Sequence, residues 1–216
     1  MAARIDRRKR ALVDGVDRIR TRLGAALCVS GGLMLTLAAA RYASGAVQAD
    51  RARAEWDAQQ AALAVTRARA SAAGPGVRPA LVEGAPVAHI VIPRIGLDEI
   101  VLEGVRGNDL NGGPGHVPGS ALPGERGNSV ISAHRDRHFN HFDKLAVGDT
   151  IVTESGSLRT SWVVTGRRVI EKDSPALFQT KEATLTLTTC WPIRYFGPAP
   201  ERLIVTAKPA TRGPAA

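Results

Sequence analysis

A chain of 216 residues with 29 basic and 20 acidic side chains has a formal net charge of +9 at pH 7. That length accommodates one globular domain with additional segments, but not comfortably two domains. The charge is uneven, because eight basic residues stand against three acidic ones before Leu23, whereas 15 stand against 14 from Leu81 onward. The folded part is therefore nearly neutral, which argues against nucleic acid as the partner.

The first element is an uncharged apolar stretch that runs from Leu23 to Ala40. As a helix it would be about 27 Å long, close to the hydrocarbon thickness of a bilayer. The basic residues 1–22 predict a cytoplasmic N-terminus, with the rest of the chain outside the cytoplasmic membrane. A cleaved signal peptide is the competing interpretation. The length of the apolar run and Arg41 directly after it favour a retained single-pass anchor in the cell membrane.

Residues 41–85 are predicted to form an Ala-rich helical stalk followed by a Pro/Gly linker. Alanine with interspersed charges favours a helix without a continuous apolar face, so we expect a solvated stalk in which Trp56 makes ordinary packing contacts. The sequence Gly74-Pro75-Gly76 begins the linker. A folded domain is predicted over residues 86–210, and a short tail over 211–216.

Short β-type runs separated by Gly/Pro turns fill the predicted domain. This pattern is typical of a closed all-β barrel or sandwich rather than βαβ units. One short helix is predicted over 140–145, before the turn Gly148-Asp149. The predicted strands are residues 88–92, 100–105, 129–132, 150–154, 161–165, 168–170, 184–189 and 203–207.

Cys190 ends the β-type run of residues 184–190 and is followed directly by Trp191-Pro192. The second cysteine, Cys28, lies in the predicted membrane helix, so the two cannot form a disulfide. An unpaired thiol outside the cytoplasm risks oxidation unless its chemistry is used, so Cys190 is a candidate nucleophile. A buried cysteine that acts as a small apolar side chain is the alternative.

A thiol nucleophile needs a histidine or a cation nearby and donors for a developing oxyanion. His134 ends its predicted strand as Cys190 ends its own, so one rim of a barrel could hold both. Arg202 opens the last strand, and a hairpin with the cysteine strand would return its guanidinium to the thiol. Arg194 is the rival cation on the same loop. The alternative for each of these residues is an ordinary solvated side chain.

The remaining histidines give little support to a metal site. His138 and His141 follow His134 at i+4 and i+7, but no third ligand with metal-site spacing accompanies them, so we expect no metal. His89 is expected to face solvent or a polar contact from its strand. Asp136 is expected to cap the turn after His134.

Three stretches resemble, in order and spacing, the three catalytic motifs of the sortases, which are cysteine transpeptidases of bacterial surfaces. They are Ser-Ala-His-Arg-Asp at 132–136, Thr-Leu-Thr-Thr-Cys at 186–190, and Arg202. The resemblance covers roughly residues 87–208. The loop 191–200 is most similar to class D sortases and to the related class of Gram-negative bacteria.

The resemblance implies the eight-stranded sortase barrel with short helices, and it assigns the catalytic roles to Cys190, His134 and Arg202 without any cofactor. The chain departs from the family pattern at Ala133, where many members have Gly, and at Trp191, where relatives often carry Tyr or His. Substrate-binding roles are expected for three further residues, namely Thr189, Trp191 and His116.

The implied reaction is cleavage of an LPxTG-like sorting motif in a secreted protein through a cysteine thioacyl intermediate, followed by transfer to an amine acceptor on the cell envelope. The sequence between Ser71 and Pro86 has no Asp-Pro-aromatic segment of the kind seen in pilin-assembling sortases, which favours anchoring. One alternative is a catalytically silent, membrane-tethered β-domain that binds a peptide by edge addition. Another is an L,D-transpeptidase, although its Ser-His-Gly-Cys type of signature is missing.

Overall fold

The computed structural model describes residues 2–69, 81–107, 109–172 and 180–210. The chain divides into two compact units, Met1–Ser44 and Gly45–Ala216. The first residues of the predicted linker, Gly74-Pro75-Gly76, and the predicted tail 211–216 lie outside the described residues.

One long helix, α1 (Ala2–Arg69), contains the apolar stretch. Within it, the span Arg20–Leu63 is long and apolar enough to cross a membrane, with a mean hydropathy of 1.9 in its most apolar window. The large apolar side chains between Leu23 and Leu37 are 59–73% exposed. An apolar surface of this kind is suited to contact with lipid tails. By length and composition the helix thus meets the requirements of the predicted anchor.

Eight strands form a closed barrel in the second unit, in the order β1-β2-β3-β4-β7-β8-β6-β5. The β2–β3 and β4–β7 pairs are parallel, and the other neighbours are antiparallel. The predicted closed eight-stranded barrel is therefore confirmed. The strands are β1 (Pro86–Ile92), β2 (Leu97–Glu103), β3 (Gly115–His116), β4 (Asn128–Ala133), β5 (Thr150–Ser155), β6 (Leu158–Glu171), β7 (Thr184–Trp191) and β8 (Glu201–Pro209).

Besides shifts of a few residues at strand ends, the strands differ from the sequence-based prediction in two places. The predicted strands 161–165 and 168–170 are both parts of β6, whose register with β8 shifts between Val164 and Gly166. A glycine at such a bulge reads as a turn in the sequence. The strand β3 was not predicted, because two residues are too few to show alternation. The predicted helix over 140–145 is a 3-10 turn at Phe142–Lys144.

The core lies inside the barrel, where inward-facing aliphatic side chains from its strands pack around buried aromatic rings. Trp162 is fully buried, and its Nε1 donates to Thr153 Oγ1 at 2.8 Å. The rings of Phe139 and Phe142 are stacked with their centroids 4.5 Å apart. Because both phenylalanines are fully buried, they hold the segment after β4 against the barrel.

The part of α1 in the second unit packs against the outside of the barrel. Ala52 and Trp56 are buried against Ile100 and Leu102 of β2 and form a small separate apolar cluster. The expectation of a fully solvated stalk is therefore wrong for this face. An alanine and a tryptophan four residues apart make too narrow an apolar stripe to stand out in an Ala-rich helix.

Candidate active site

Three adjacent strands bring the candidate catalytic residues to one rim of the barrel. In the parallel β4–β7 pair, Ala133 lies beside Thr189, so His134 and Cys190 each come one residue later. In the antiparallel β7–β8 pair, Cys190 lies directly opposite Arg202. The end of β4, the end of β7 and the start of β8 therefore meet at the same edge.

Alternation along β7 and β8 also places the side chains of Cys190 and Arg202 on one face. Leu187 on β7, Leu203 on β8 and Ala133 on β4 belong to the core cluster. Neighbouring residues in a strand point to opposite faces, so Cys190 and Arg202 project from the outer face. Side chains opposite each other in an antiparallel pair have Cβ atoms about 4.5–5.5 Å apart. The Cβ atoms of Cys190 and Arg202 are thus close neighbours on that face.

His134 stands at the start of a turn that the barrel core holds in place. The backbone N–H of Phe139 donates to the carbonyl oxygen of His134 at 3.0 Å, and the Phe139 ring is buried. The imidazole Nε2 lies 3.4 Å from the carbonyl oxygen of Gly107 on the loop before β3. The residue is partly buried.

A hydrogen bond locks the ends of the two parallel strands together. Thr189 Oγ1 donates to the carbonyl oxygen of Ala133 at 2.7 Å, and Thr189 is almost completely buried. Because these residues directly precede Cys190 and His134, the bond fixes the offset between thiol and imidazole along the sheet. Thr189 is therefore in a supporting position, and its burial argues against the predicted contact with substrate.

Arg202 is held by the loop that precedes β8. Its Nη1 donates to the carbonyl oxygens of Glu201 at 2.8 Å and of Ala199 at 3.5 Å. The strand register places Arg202, rather than the exposed Arg194, opposite the cysteine. A guanidinium in this place can offer planar N–H donors to an oxyanion that forms near the sulfur.

His116 lies away from the rim surface, in a fully buried polar cluster. Its Nδ1 is 2.6 Å from Glu103 Oε2, and its Nε2 is 3.0 Å from the carbonyl oxygen of Ala121 and 2.9 Å from Ser120 Oγ. Both ring nitrogens are engaged, and this argues against direct contact with substrate. Of the three predicted substrate-binding residues, Trp191 alone is partly exposed.

The other polar residues singled out from the sequence have local partners. His89 makes the expected polar contact, because its Nε2 lies 2.8 Å from Asp98 Oδ1. That hydrogen bond lowers the pKa of Asp98, and Arg53 lowers it further. His138 Nδ1 lies 3.4 Å from Glu99 Oε1. The described parts of the chain contain no group of three or more side chains that could hold a metal ion.

Sequence reasoning missed Arg135, which follows His134 directly. Its guanidinium donates to three carbonyl oxygens of the loop between β7 and β8. It also missed Glu103 as the partner of His116. Neither contact leaves a local pattern in the sequence, because the partners of Arg135 are 57 to 62 residues away.

The eight-stranded barrel and the residues collected at this rim define a sortase-type β-barrel. Residues 90–210 match the family model described as "Sortase domain". That match covers more than half of the chain, and the protein therefore belongs to the sortase family.

The most similar proteins point to class D within the family. Sortase D of Bacillus subtilis (strain 168) is 33% identical over 122 residues, which cover 56% of this chain and 62% of that protein. The chain thus spans less than two thirds of this relative's length. The Clostridium perfringens Sortase D5 transpeptidase is 31% identical with a TM-score of 0.55, over 61% of this chain and 82% of that one.

Two further solved structures are similar to the barrel. The catalytic domain of sortase D from B. anthracis is 28% identical with a TM-score of 0.51, over 65% of this chain and 96% of that one. Sortase C of C. perfringens, solved with the C-terminal cell wall sorting motif, is 29% identical with a TM-score of 0.55, over 60% of this chain and 73% of that one. The predicted similarity to class D sortases is confirmed.

Proposed function

We propose that this chain is a membrane-anchored transpeptidase that cleaves an LPxTG-like sorting motif of a secreted protein and transfers its acyl part to an amine acceptor on the cell envelope. The strand register carries the proposal. Cys190 lies opposite Arg202. It also lies one residue beyond the Ala133–Thr189 pair that leads into His134.

In the first half-reaction, the Cys190 thiolate attacks the carbonyl carbon of a Thr-Gly type peptide bond and forms a C–S bond. The carbonyl oxygen becomes an oxyanion, which Arg202 stabilises through its N–H donors. His134 protonates the leaving nitrogen as the C–N bond breaks. The products are a thioacyl enzyme and a free amine.

In the second half-reaction, an incoming amine takes the place of the one that left. His134 removes a proton from this amine, and the nitrogen attacks the thioester carbon. The oxyanion forms again beside Arg202, and the C–S bond then breaks to release the Cys190 thiolate. A new amide bond joins the client to its acceptor, and the enzyme returns to its starting state.

Two further observations support the proposed client and location. Sortase C of C. perfringens has been solved with the C-terminal cell wall sorting motif. By analogy, we assign this chain a secreted client with a C-terminal sorting signal. The apolar span within α1 supplies the anchor, and the basic residues 1–22 keep the N-terminus cytoplasmic, so the barrel works outside the membrane.

The test is the capture of the thioacyl enzyme by intact-protein mass spectrometry. The full chain in detergent is mixed with LPxTG-like peptides, and Cys28→Ala serves as the background so that Cys190 is the single thiol. We expect a covalent adduct on the Cys28→Ala protein and none after Cys190→Ala is added. Arg202→Ala should slow adduct formation by about 10²- to 10³-fold, the usual effect of removing an oxyanion donor.

The opposite outcome has a clear form. If the Cys28→Ala protein makes no adduct with any LPxTG-like peptide, and Cys190→Ala binds those peptides as tightly as the parent, the chain is a silent peptide-binding domain. An adduct that persists after Cys190→Ala would remove the cysteine from the mechanism.

A further inference from the structure

A single arginine joins the segment after the candidate histidine to the loop after the candidate nucleophile. Arg135 Nη1 donates to the carbonyl oxygen of Pro192 at 3.1 Å. Its Nη2 donates to the carbonyl oxygens of Tyr195 at 3.0 Å and Gly197 at 2.8 Å. The guanidinium carbon also lies 5.6 Å from the centre of the Tyr195 ring.

The chemistry of this contact requires an arginine. A guanidinium is planar and carries five N–H donors in a fixed fork, so it can bind several carbonyl oxygens at once while its face stacks on an aromatic ring. A lysine ammonium has three donors around one point and no flat face. The loop also contains Pro192, Pro198 and Pro200, which lack backbone N–H groups, so side-chain donors matter more to its shape.

The clamped loop lies between two of the candidate catalytic residues. It begins just after Cys190 and ends at Arg202, while Arg135 itself is bonded covalently to His134. Arg202 also donates to the loop, at Ala199 O. The loop is thus held by two arginines through its carbonyl oxygens, and its displacement would act on the thiol and the guanidinium together.

We propose that Arg135 is a positioning residue for the transpeptidase reaction, which clamps the 192–197 loop against the segment carrying His134 and thereby sets the relative placement of Cys190, His134 and Arg202. This inference rests on the proposed function for its kinetic consequence, but the clamp itself is independent of it. Arg135 touches no reacting atom in this proposal and acts through the loop.

Two aromatic residues in the loop allow its attachment to the barrel to be measured by proteolysis. Tyr195 is half exposed and Phe196 is fully exposed, so the bonds after them are chymotrypsin sites whenever the loop can leave the barrel surface. Proteolysis at such sites follows the population of locally opened states. The rate of cleavage after Tyr195 and Phe196, read by mass spectrometry, measures how firmly the loop is held.

The experiment compares Arg135→Lys and Arg135→Ala with Arg126→Ala, which alters an exposed arginine on the loop before β4. All three are made in the full-length Cys28→Ala protein. Loss of the clamp should raise cleavage after Tyr195 and Phe196 about tenfold or more in both Arg135 variants. Arg126→Ala should leave it unchanged.

Measurement of kcat and KM distinguishes a positioning role of Arg135 from a purely structural one. Misplacement of reacting groups by about 1 Å can lower turnover about 10²-fold, so kcat on the sorting peptide should fall strongly in both Arg135 variants while KM changes little. Arg135→Lys should not rescue it, because charge alone cannot hold three carbonyl oxygens. The thermal unfolding midpoint of both Arg135 variants should stay close to that of the Cys28→Ala parent, showing that the barrel is still folded.

Each outcome decides the matter. Wild-type cleavage and kcat in Arg135→Lys would overturn the proposal, and so would faster cleavage with unchanged kcat. If the parent protein makes no thioacyl adduct, the proposed function fails, yet the proteolysis arm still tests the clamp. A clamp confirmed in that case would be purely structural, and the positioning role would be rejected.

Discussion

The buried pair of Glu103 and His116 offers the sharpest test of which contacts stabilise the barrel near the candidate active site. Its two atoms, Oε2 and Nδ1, lie 2.6 Å apart, and the side chains are 7% and 0% exposed. Because the carbonyl oxygen of Ala121 only accepts, His116 Nε2 must carry the hydrogen between them. The other ring nitrogen, Nδ1, faces the carboxyl group of Glu103 in a contact that is closed to water.

Glu103→Gln keeps the volume of the side chain and removes the carboxylate. The neutral amide can replace only the hydrogen bond, and loss of one partner of a buried salt bridge typically costs about 3–5 kcal/mol. That is a large part of the roughly 5–15 kcal/mol by which native domains are stable. At about 2–4 °C per kcal/mol for a unit of this size, the unfolding midpoint should fall by about 6–20 °C.

The assay is thermal and urea unfolding of the full chain in detergent, followed by tryptophan fluorescence. Glu171→Gln on the exposed end of β6 is the matched control and should change stability by less than about 0.5 kcal/mol. The double variant Glu103→Gln with His116→Gln should recover part of the loss, because two neutral amides can bond to each other. A Glu103→Gln protein within about 1 kcal/mol of the parent would refute the assignment of a buried ion pair.

Two further predictions concern the helix that packs on the barrel. Trp56→Ala should destabilise the unit by about 2–4 kcal/mol and release the helix to proteases, because Trp56 is 6% exposed, whereas exposed Asp57→Ala should not. His89 and Arg53 lower the pKa of Asp98. The contribution of Asp98 to the free energy of unfolding is therefore fully present above the ordinary aspartate pKa near 3.9, and it is lost as the pH falls through the lowered pKa of the folded state. Since the Asp98 side chain is 60% exposed, Asp98→Asn should cost under about 1 kcal/mol at pH 7 and progressively less as the pH is lowered below about 3.9, as measured by urea unfolding over that range.

Local sequence patterns predicted a β-barrel or a β-sandwich, and the resemblance to sortases then indicated the eight-stranded barrel and the candidate residues Cys190, His134 and Arg202. Alternation and Gly/Pro turns revealed β-structure because they act within a few residues. Cys190 and His134 were recognisable because each ends a β-type run. Strand β3 escaped notice because its two residues are defined by their neighbours in β2 and β4 rather than by their own sequence. The bulge at Gly166 hid the continuity of β6 for a similar reason.

The contacts that fix the site could not be predicted in this way. The bond from Thr189 to Ala133 joins residues 56 apart and depends on the β4–β7 register. The partner of His116 is a glutamate on a strand whose sequence shows nothing unusual. Register and loop path are set by the packing of the whole barrel, and a single sequence does not display them.

The site therefore has two kinds of support with different consequences. On one side, ladder hydrogen bonds and the Thr189 contact fix the ends of β7 and β4, which carry Cys190 and lead into His134, so changes there disturb the barrel itself. On the other side, the loop between β7 and β8 depends on the side chains of Arg135 and Arg202. Substitutions in that loop can alter its shape while the ladder remains intact. Differences in specificity among related barrels should accordingly concentrate in the loop and its arginine partner.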